Sequence, residues 1–150
     1  MYSEQQIYNN LSTLQGYNRQ EFVYNQVIQC VFPYAKLKDL DWITDDFVGK
    51  YGINEDAIIG AESIPANSHL EAHTDIIRRS NLLINVGDSD AVIFHNNDGK
   101  LEEQVIAPGD MFLINTQKEH GSTNNHDYDY KFLTLNTKLS YAKTKEYFNV

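Results

Sequence analysis

Apolar positions along this chain change their spacing about a third of the way in. At the start, Ile7, Leu11 and Leu14 recur at helical intervals behind Ser3 and Gln6, a pair spaced as a capping box, and Gly16 supplies a stop signal. Asn18 and Glu21 repeat that start signal, and Phe22, Val23, Val27, Cys30 and Val31 would line one face of a second helix. The same stretch is rich in β-branched and aromatic residues, which keeps a strand open as the alternative, and Pro33 closes it in either case. From about residue 56 the apolar runs become short and turn residues separate them. Ala57 to Ile64, Asn81 to Val86, Ala91 to His95, Leu101 to Ile106, Met111 to Asn115 and Tyr130 to Thr137 read as strands. Gly87-Asp88-Ser89-Asp90 and Pro108-Gly109-Asp110 mark turns, and Asn96-Asn97-Asp98-Gly99 is a hairpin signal. The tail from Ser140 to Val150 reads as a short helix or a frayed end. The predicted fold is mainly β with N-terminal helices: a helical cover over about residues 1–55 and a sandwich or barrel core over about residues 56–137, in one domain spanning 1–150.

Composition narrows the function classes. At 150 residues and 41% hydrophobic content, the chain can bury a core without a disulfide or a structural zinc. Its single cysteine, Cys30, excludes an internal disulfide and reads as a small buried hydrophobe. A net charge of −9 argues against direct nucleic-acid binding and against an anionic membrane surface, and makes cationic or neutral small molecules the easier partners. The start Met1-Tyr2-Ser3-Glu4 lacks the basic and apolar regions of a signal peptide, and no apolar stretch approaches a membrane span. The expected location is the cytoplasm, of a bacterium or of a host cell if the gene is phage-encoded. The acidic stretch Asp39, Asp41, Asp45, Asp46 reads as a solvated face, and the ten tyrosines and seven phenylalanines as filling for core and pocket walls.

The candidate chemistry lies in His73-Thr74-Asp75. On an extended segment, residues two apart point to the same side, so an imidazole and a carboxylate converge on one point. A third ligand from a later strand would complete a 2-His-1-carboxylate facial triad, which leaves three positions of an octahedral metal open. His120, after the turn Pro108-Gly109-Asp110 and the strand that follows it, is the expected third ligand, in preference to His126 in the loop Asn124-Asn125-His126-Asp127. A lone His-x-Asp pair is more often a local hydrogen-bonded pair; the ordered set of three within a strand-rich region is what favours a metal. His69, four residues before His73, would suit zinc on a helix, but Ile64-Pro65-Ala66-Asn67 argues for loop or strand there. His95 ends a strand and reads as structural.

An acidic cosubstrate would need a buried cation. Lys131 shares a face with Leu133 and Leu135 and is expected to point inward. If the parity of His73 and Asp75 carries through, Arg79, Asn81, Leu83 and Asn85 also face inward and Arg78 faces out, which makes Arg79 and Asn85 candidate cosubstrate contacts. Structural alternatives stand beside each: a snorkelling Lys131, an ion-paired Arg79, and asparagines capping strand edges.

Taken together, His73-Thr74-Asp75, Arg79, the strand Asn81 to Val86, Pro108-Gly109-Asp110, His120 and Lys131 resemble the iron(II)/2-oxoglutarate-dependent dioxygenases. The pattern is closest to the small prolyl-hydroxylase-like and aspartyl/asparaginyl-hydroxylase-like members of bacteria and phages. It covers about residues 57–137, and the N-terminal third matches nothing in it. The resemblance implies a double-stranded β-helix, a jelly-roll or cupin-like core, in which His73, Asp75 and His120 hold iron(II). It implies 2-oxoglutarate and dioxygen as cosubstrates, with Lys131 on the far carboxylate where many members have Arg, a point charge in place of a bidentate fork. It implies hydroxylation of a C–H bond of a peptide residue or small molecule, with release of succinate and carbon dioxide. Asp75 argues against halogenation and departs from the aspartyl-hydroxylase branch, where that ligand is typically missing.

Two rival readings remain. A non-catalytic cupin-like binding protein would use the same core without turnover. A zinc- or manganese-dependent cupin isomerase commonly uses a His-x-His pair, which is absent from this sequence. Segments 33–56 and 116–129 are the expected substrate-binding loops; substrate identity and oligomeric state are not written in the chain.

Overall fold

The computed structural model describes residues 2–14, 20–24, 27–75, 80–137 and 141–148. The first helix, α1 (Glu4–Thr13), starts as its capping box requires: Gln6 N donates to Ser3 Oγ at 3.2 Å and Ser3 N donates to Gln6 Oε1 at 2.8 Å. Gly16 and Asn18 lie outside the described residues. The expected second helix is instead a strand hairpin, β1 (Gln20–Tyr24) and β2 (Val27–Pro33), with Tyr24 opposite Val27. The β-branched residues Val27, Ile28 and Val31 lose rotamer freedom in a helix, and β2 gains a full antiparallel ladder against β3 (Ile58–Ile64). The β core therefore begins near residue 20, not near residue 56. Segment 33–56 is not all loop. A short 3-10 turn (Tyr34–Lys36) leads to helix α2 (Asp45–Tyr51), where Phe47 N donates to the Thr44 hydroxyl and Gly52 closes the helix at φ 59°.

The remaining strands are β4 (Ser68–His73), β5 (Ser80–Asn85), β6 (Ala91–Asn97), β7 (Lys100–Ile106), β8 (Met111–Ile114), β9 (His120–Asn124) and β10 (Tyr130–Thr137), followed by helix α3 (Tyr141–Phe148). They form two antiparallel sheets, ordered β1-β2-β3-β10-β5-β8 and β4-β9-β6-β7. From β3 onward the chain crosses between sheets at nearly every connection. No ladder joins the two sheets among the described residues, so the architecture is an open sandwich and not a closed barrel. The β6–β7 turn uses Asp98 (φ 53°) and Gly99 (φ 88°), the two left-handed positions of a tight hairpin.

At its centre the six-stranded sheet is buried on both faces, so β5 is buried at every position. One face carries Ile59, Ala61, Leu82, Ile84, Leu113, Leu133 and Leu135 against Ile7, Leu11, Phe47 and Tyr51 of the helices. The other carries Ile64, Leu83, Ile114, Tyr130 and Phe132 against Leu70, Ala91, Ile93 and Ile106 of the four-stranded sheet. A polar side chain between the sheets and one under the helices thus face different environments, although both are buried. Among the described residues no helix is long and apolar enough to cross a membrane.

Candidate metal centre

The alternation of β4 puts Ser68 and Leu70 inward and His69 and Glu71 outward. Continued evenly, it would point His73 away from the core. A bulge between Leu70 and His73 adds one residue to β4, so that Leu70 stands opposite Ser122 while His73 stands opposite His120. His73 therefore faces inward from the last position of its strand. Two residues on, the Asp75 backbone N–H donates to Thr116 O at 2.8 Å, which ties the segment to the turn before β9. His120 is the first residue of β9 and is buried.

These three side chains meet. One ligand atom from each of His73, Asp75 and His120 lies within 4.8 Å of the others. His73 Nε2 is 3.6 Å from Asp75 Oδ1 and His120 Nε2 is 3.8 Å from Asp75 Oδ2. The opposite ring nitrogens are each committed to a backbone carbonyl, His73 Nδ1 to Glu71 O at 2.8 Å and His120 Nδ1 to Lys118 O at 2.9 Å. A carbonyl can only accept, so each Nδ1 carries a proton, and the ring in its neutral form presents a bare lone pair at Nε2. Two lone pairs and a carboxylate that share one space, at separations too long for hydrogen bonds, form a donor set that suits a cation. Carbonyls that fix the tautomer of metal-bound histidines are the usual supporting shell.

The other histidines lie elsewhere. His126 shares a hydrogen bond of 2.8 Å with the Tyr130 hydroxyl and stacks on Tyr128. His69, on the outer side of β4, bonds to Thr123 Oγ1 at 2.8 Å. His95 is in register with His120 and so on the same row, with its ring against Phe112.

The triad opens into a cavity of about 210 Å³ between the sheets, lined by Leu70, Leu83, Ile93 and Ile114 and by the polar Gln29, Glu62, Asn81 and Ser122. Asn81 and Leu83 face inward, as the parity argument expected. Arg79 and Arg78 lie outside the described residues. Two expected cosubstrate contacts, Lys131 and Asn85, do not line the cavity. Lys131 does alternate with Leu133 and Leu135, but their shared face is the one beneath the helices. It lies opposite Ser63 and borders a surface depression with Gln5, Asp88 and Asp129, away from the triad. The alternation was legible; which of two apolar faces held the site was not. Asn85 is turned inward but its amide is spent: Nδ2 donates to Ser89 O and Ile106 O, and Oδ1 accepts from Gly87 N. It joins the end of β5 to β7 and does not line the cavity.

Glu62 and Gln29 were not anticipated. Gln29 Nε2 donates to Glu62 Oε2, and both sit on the inward row of the six-stranded sheet beside Phe132. For Gln29, the period-two pattern Val27-x-Gln29-x-Val31 was available once the segment is read as a strand. Segment 116–129, expected as a loop, contains β9 and hence His120.

No family model matches the chain, and no curated protein matches it. Solved structures do. The plu4264 protein from Photorhabdus luminescens is 17% identical at a TM-score of 0.52, covering 87% of this chain and 88% of its own. The hydroxypropylphosphonic acid epoxidase from S. wedmorenis is 6% identical at a TM-score of 0.52, with 79% of this chain matched to 55% of that one. The CENP-C cupin domain from Drosophila melanogaster is 10% identical at a TM-score of 0.53, covering 80% and 76%. At these identities the likeness is one of fold: a mainly β, cupin-like sandwich.

Proposed function

We propose that this chain, as one domain over residues 1–150, is a mononuclear iron(II)-dependent oxygenase that hydroxylates a C–H bond of a small molecule or peptide residue. The two sheets correspond in this reading to the halves of a double-stranded β-helix. The observation that carries it is the convergence of two Nε2 lone pairs and one carboxylate with both histidine tautomers set from behind. Iron(II) held by His73, Asp75 and His120 would supply redox chemistry with dioxygen at the coordination positions the protein leaves free. The chain's own residues do the rest. Glu71 and Lys118 carbonyls orient the rings, Thr116 holds the Asp75 backbone, and Leu70, Leu83, Ile93 and Ile114 keep the cavity wall dry.

2-Oxoglutarate as the cosubstrate rests on the sequence resemblance. Its keto-acid end suits a centre with open positions. Its far carboxylate finds no Lys or Arg among the described residues that line the cavity, and it would meet the acidic Glu62. The test is anaerobic iron(II) loading followed by 2-oxoglutarate titration, read by the weak visible charge-transfer band. One iron per chain, lost in His73→Ala and His120→Ala, supports the metal centre. A band supports 2-oxoglutarate. Stoichiometric iron with neither a band nor oxygen consumption under any substrate would place the chain with non-catalytic cupin-like binding proteins.

A further inference from the structure

Among the described residues, three buried side-chain atoms lack a hydrogen-bond partner: Asn81 Oδ1, Asn136 Oδ1 and Asn136 Nδ2. They belong to one place. Asn81 and Asn136 stand opposite each other on β5 and β10, on the side that carries Leu83 and Phe132 toward the four-stranded sheet. Isoleucines flank them in register, Ile58 on β3 and Ile114 on β8, so the row is a polar pair between apolar ends. Asn81 is 8% exposed and lines the cavity of the triad, and Asn136, beside it, is 2% exposed. Buried amide atoms are nearly always paired, and each one left bare destabilises the fold, so a bare amide pair at a cavity wall marks a place that a bound group completes. The deficit specifies that group. Two oxygens lack a donor and one nitrogen lacks an acceptor. A bond from Asn136 Nδ2 to Asn81 Oδ1 would still leave Asn136 Oδ1 bare, and turning either amide end for end exchanges the roles without removing the need for both kinds of partner. An ammonium only donates and a carboxylate only accepts, whereas a primary carboxamide offers two N–H donors and one carbonyl acceptor. Residues directly opposite in a ladder have Cβ atoms about 4.5–5.5 Å apart, so one small planar group can reach both amides. The rest of the wall suits a short aliphatic chain: Leu70, Leu83, Ile93 and Ile114 are apolar, and no Lys or Arg lines the cavity among the described residues.

We propose that Asn81 and Asn136 form a substrate subsite for a neutral primary carboxamide carried on a short aliphatic chain. The proposal rests on the oxygenase reading and deepens it by naming the substrate class. The cavity, about 210 Å³, is below the roughly 300–1,000 Å³ of drug-sized pockets and so suits a small molecule. Four probes share one shape and differ in what the tip gives and takes: butyramide, 2-pentanone, butyrate and butyramidinium. Each is titrated by calorimetry into the metal-free chain and into the iron(II)-loaded chain without oxygen; the metal-free arm removes any coordination of iron by butyrate. In the metal-free chain butyramide is expected to bind at least about tenfold tighter than each of the others, since a site built to bond both ends of an amide rejects analogues that lack one. Asn81→Leu and Asn136→Leu, near in shape, should each bring butyramide to within about threefold of 2-pentanone. Because each replaces bare polar atoms by apolar ones, both variants should melt within about 4 °C of the native chain or above it. A smaller preference over any of the three analogues, its survival in Asn81→Leu, or a larger fall in Tm for that variant would overturn the subsite. So would no binding of butyramide to the folded native chain, which leaves water as the partner of the pair. Iron content is measured in parallel: the carboxamide preference without iron binding sinks the oxygenase reading alone, and iron binding without the preference sinks the subsite alone.

Discussion

Replacing Asn85 by alanine removes three hydrogen bonds at one buried point. Asn85 is 1% exposed; its amide nitrogen holds Ser89 O at 3.0 Å and Ile106 O at 2.7 Å, and its carbonyl receives Gly87 N–H at 2.9 Å. Each bond is worth about 1 kcal/mol net, and a buried group left without a partner costs about 1–3 kcal/mol. Water can reach the Ser89 and Gly87 ends at the loop, whereas Ile106, 2% exposed, belongs to the core between the sheets. The expected loss is about 2–4 kcal/mol, or roughly 5–15 °C in Tm for a domain of this size. Asn85→Asp should cost at least as much, because it sets a carboxylate oxygen against two carbonyls. Urea unfolding of both variants measures the loss, and iron and 2-oxoglutarate titrations of the folded protein should match those of the native chain. A variant that keeps its stability to within about 0.5 kcal/mol but loses 2-oxoglutarate affinity would refute this account and return Asn85 to the cosubstrate.

Three further outcomes are expected. Lys131→Ala should leave iron and 2-oxoglutarate binding unchanged by titration, since Lys131 lies on the helix-covered face. Gly121→Ala would bring a Cβ to 2.5 Å from Leu70 O and 2.6 Å from the Phe94 ring, forcing β9 away from β4 next to His120; iron affinity, measured against a competing chelator, should fall by about tenfold or more. Burial, reinforced by the Glu4 carboxylate, pushes the Tyr51 phenol up to about 12. The unfolded chain releases that proton near pH 10, so the contribution to stability is complete below pH 10 and is lost as pH rises towards 12. Tyr51→Phe should therefore flatten the alkaline limb of a stability–pH profile, by at most about 2 kcal/mol.

Much of the β region was legible in the sequence because turn chemistry is local. Asp98-Gly99 and Pro108-Gly109 announce their turns through φ requirements that few other residues meet. The cluster of His73, Asp75 and His120 was legible because His and Asp are the residue types that can hold a metal and the first two stand two apart on an extended segment. What failed was information held by neighbours. The hairpin of β1 and β2 forms because β3 offers a ladder. The face that carries Lys131 was not legible because a strand buried on both sides carries apolar residues on each, and alternation does not say which faces the other sheet. Glu62 was invisible for the same reason, lying in a run, Ala57 to Ile64, that reads as plain strand.

The bulge in β4 makes the two ligand-bearing strands unequal in their tolerance to a change of length. Between Leu70 and His73 the strand holds one residue that its partner does not count, while β9 spans the same interval, His120 to Ser122, with none to spare. A chain shortened by one residue in that stretch of β4 could keep Leu70 and His73 opposite their present partners. Its loss would be local: the Glu71 carbonyl that sets the His73 ring lies within the bulge. The same deletion in β9 would turn either His120 or Ser122 to the opposite face. A one-residue deletion is therefore compatible with the register on the His73 side of the centre and not on the His120 side.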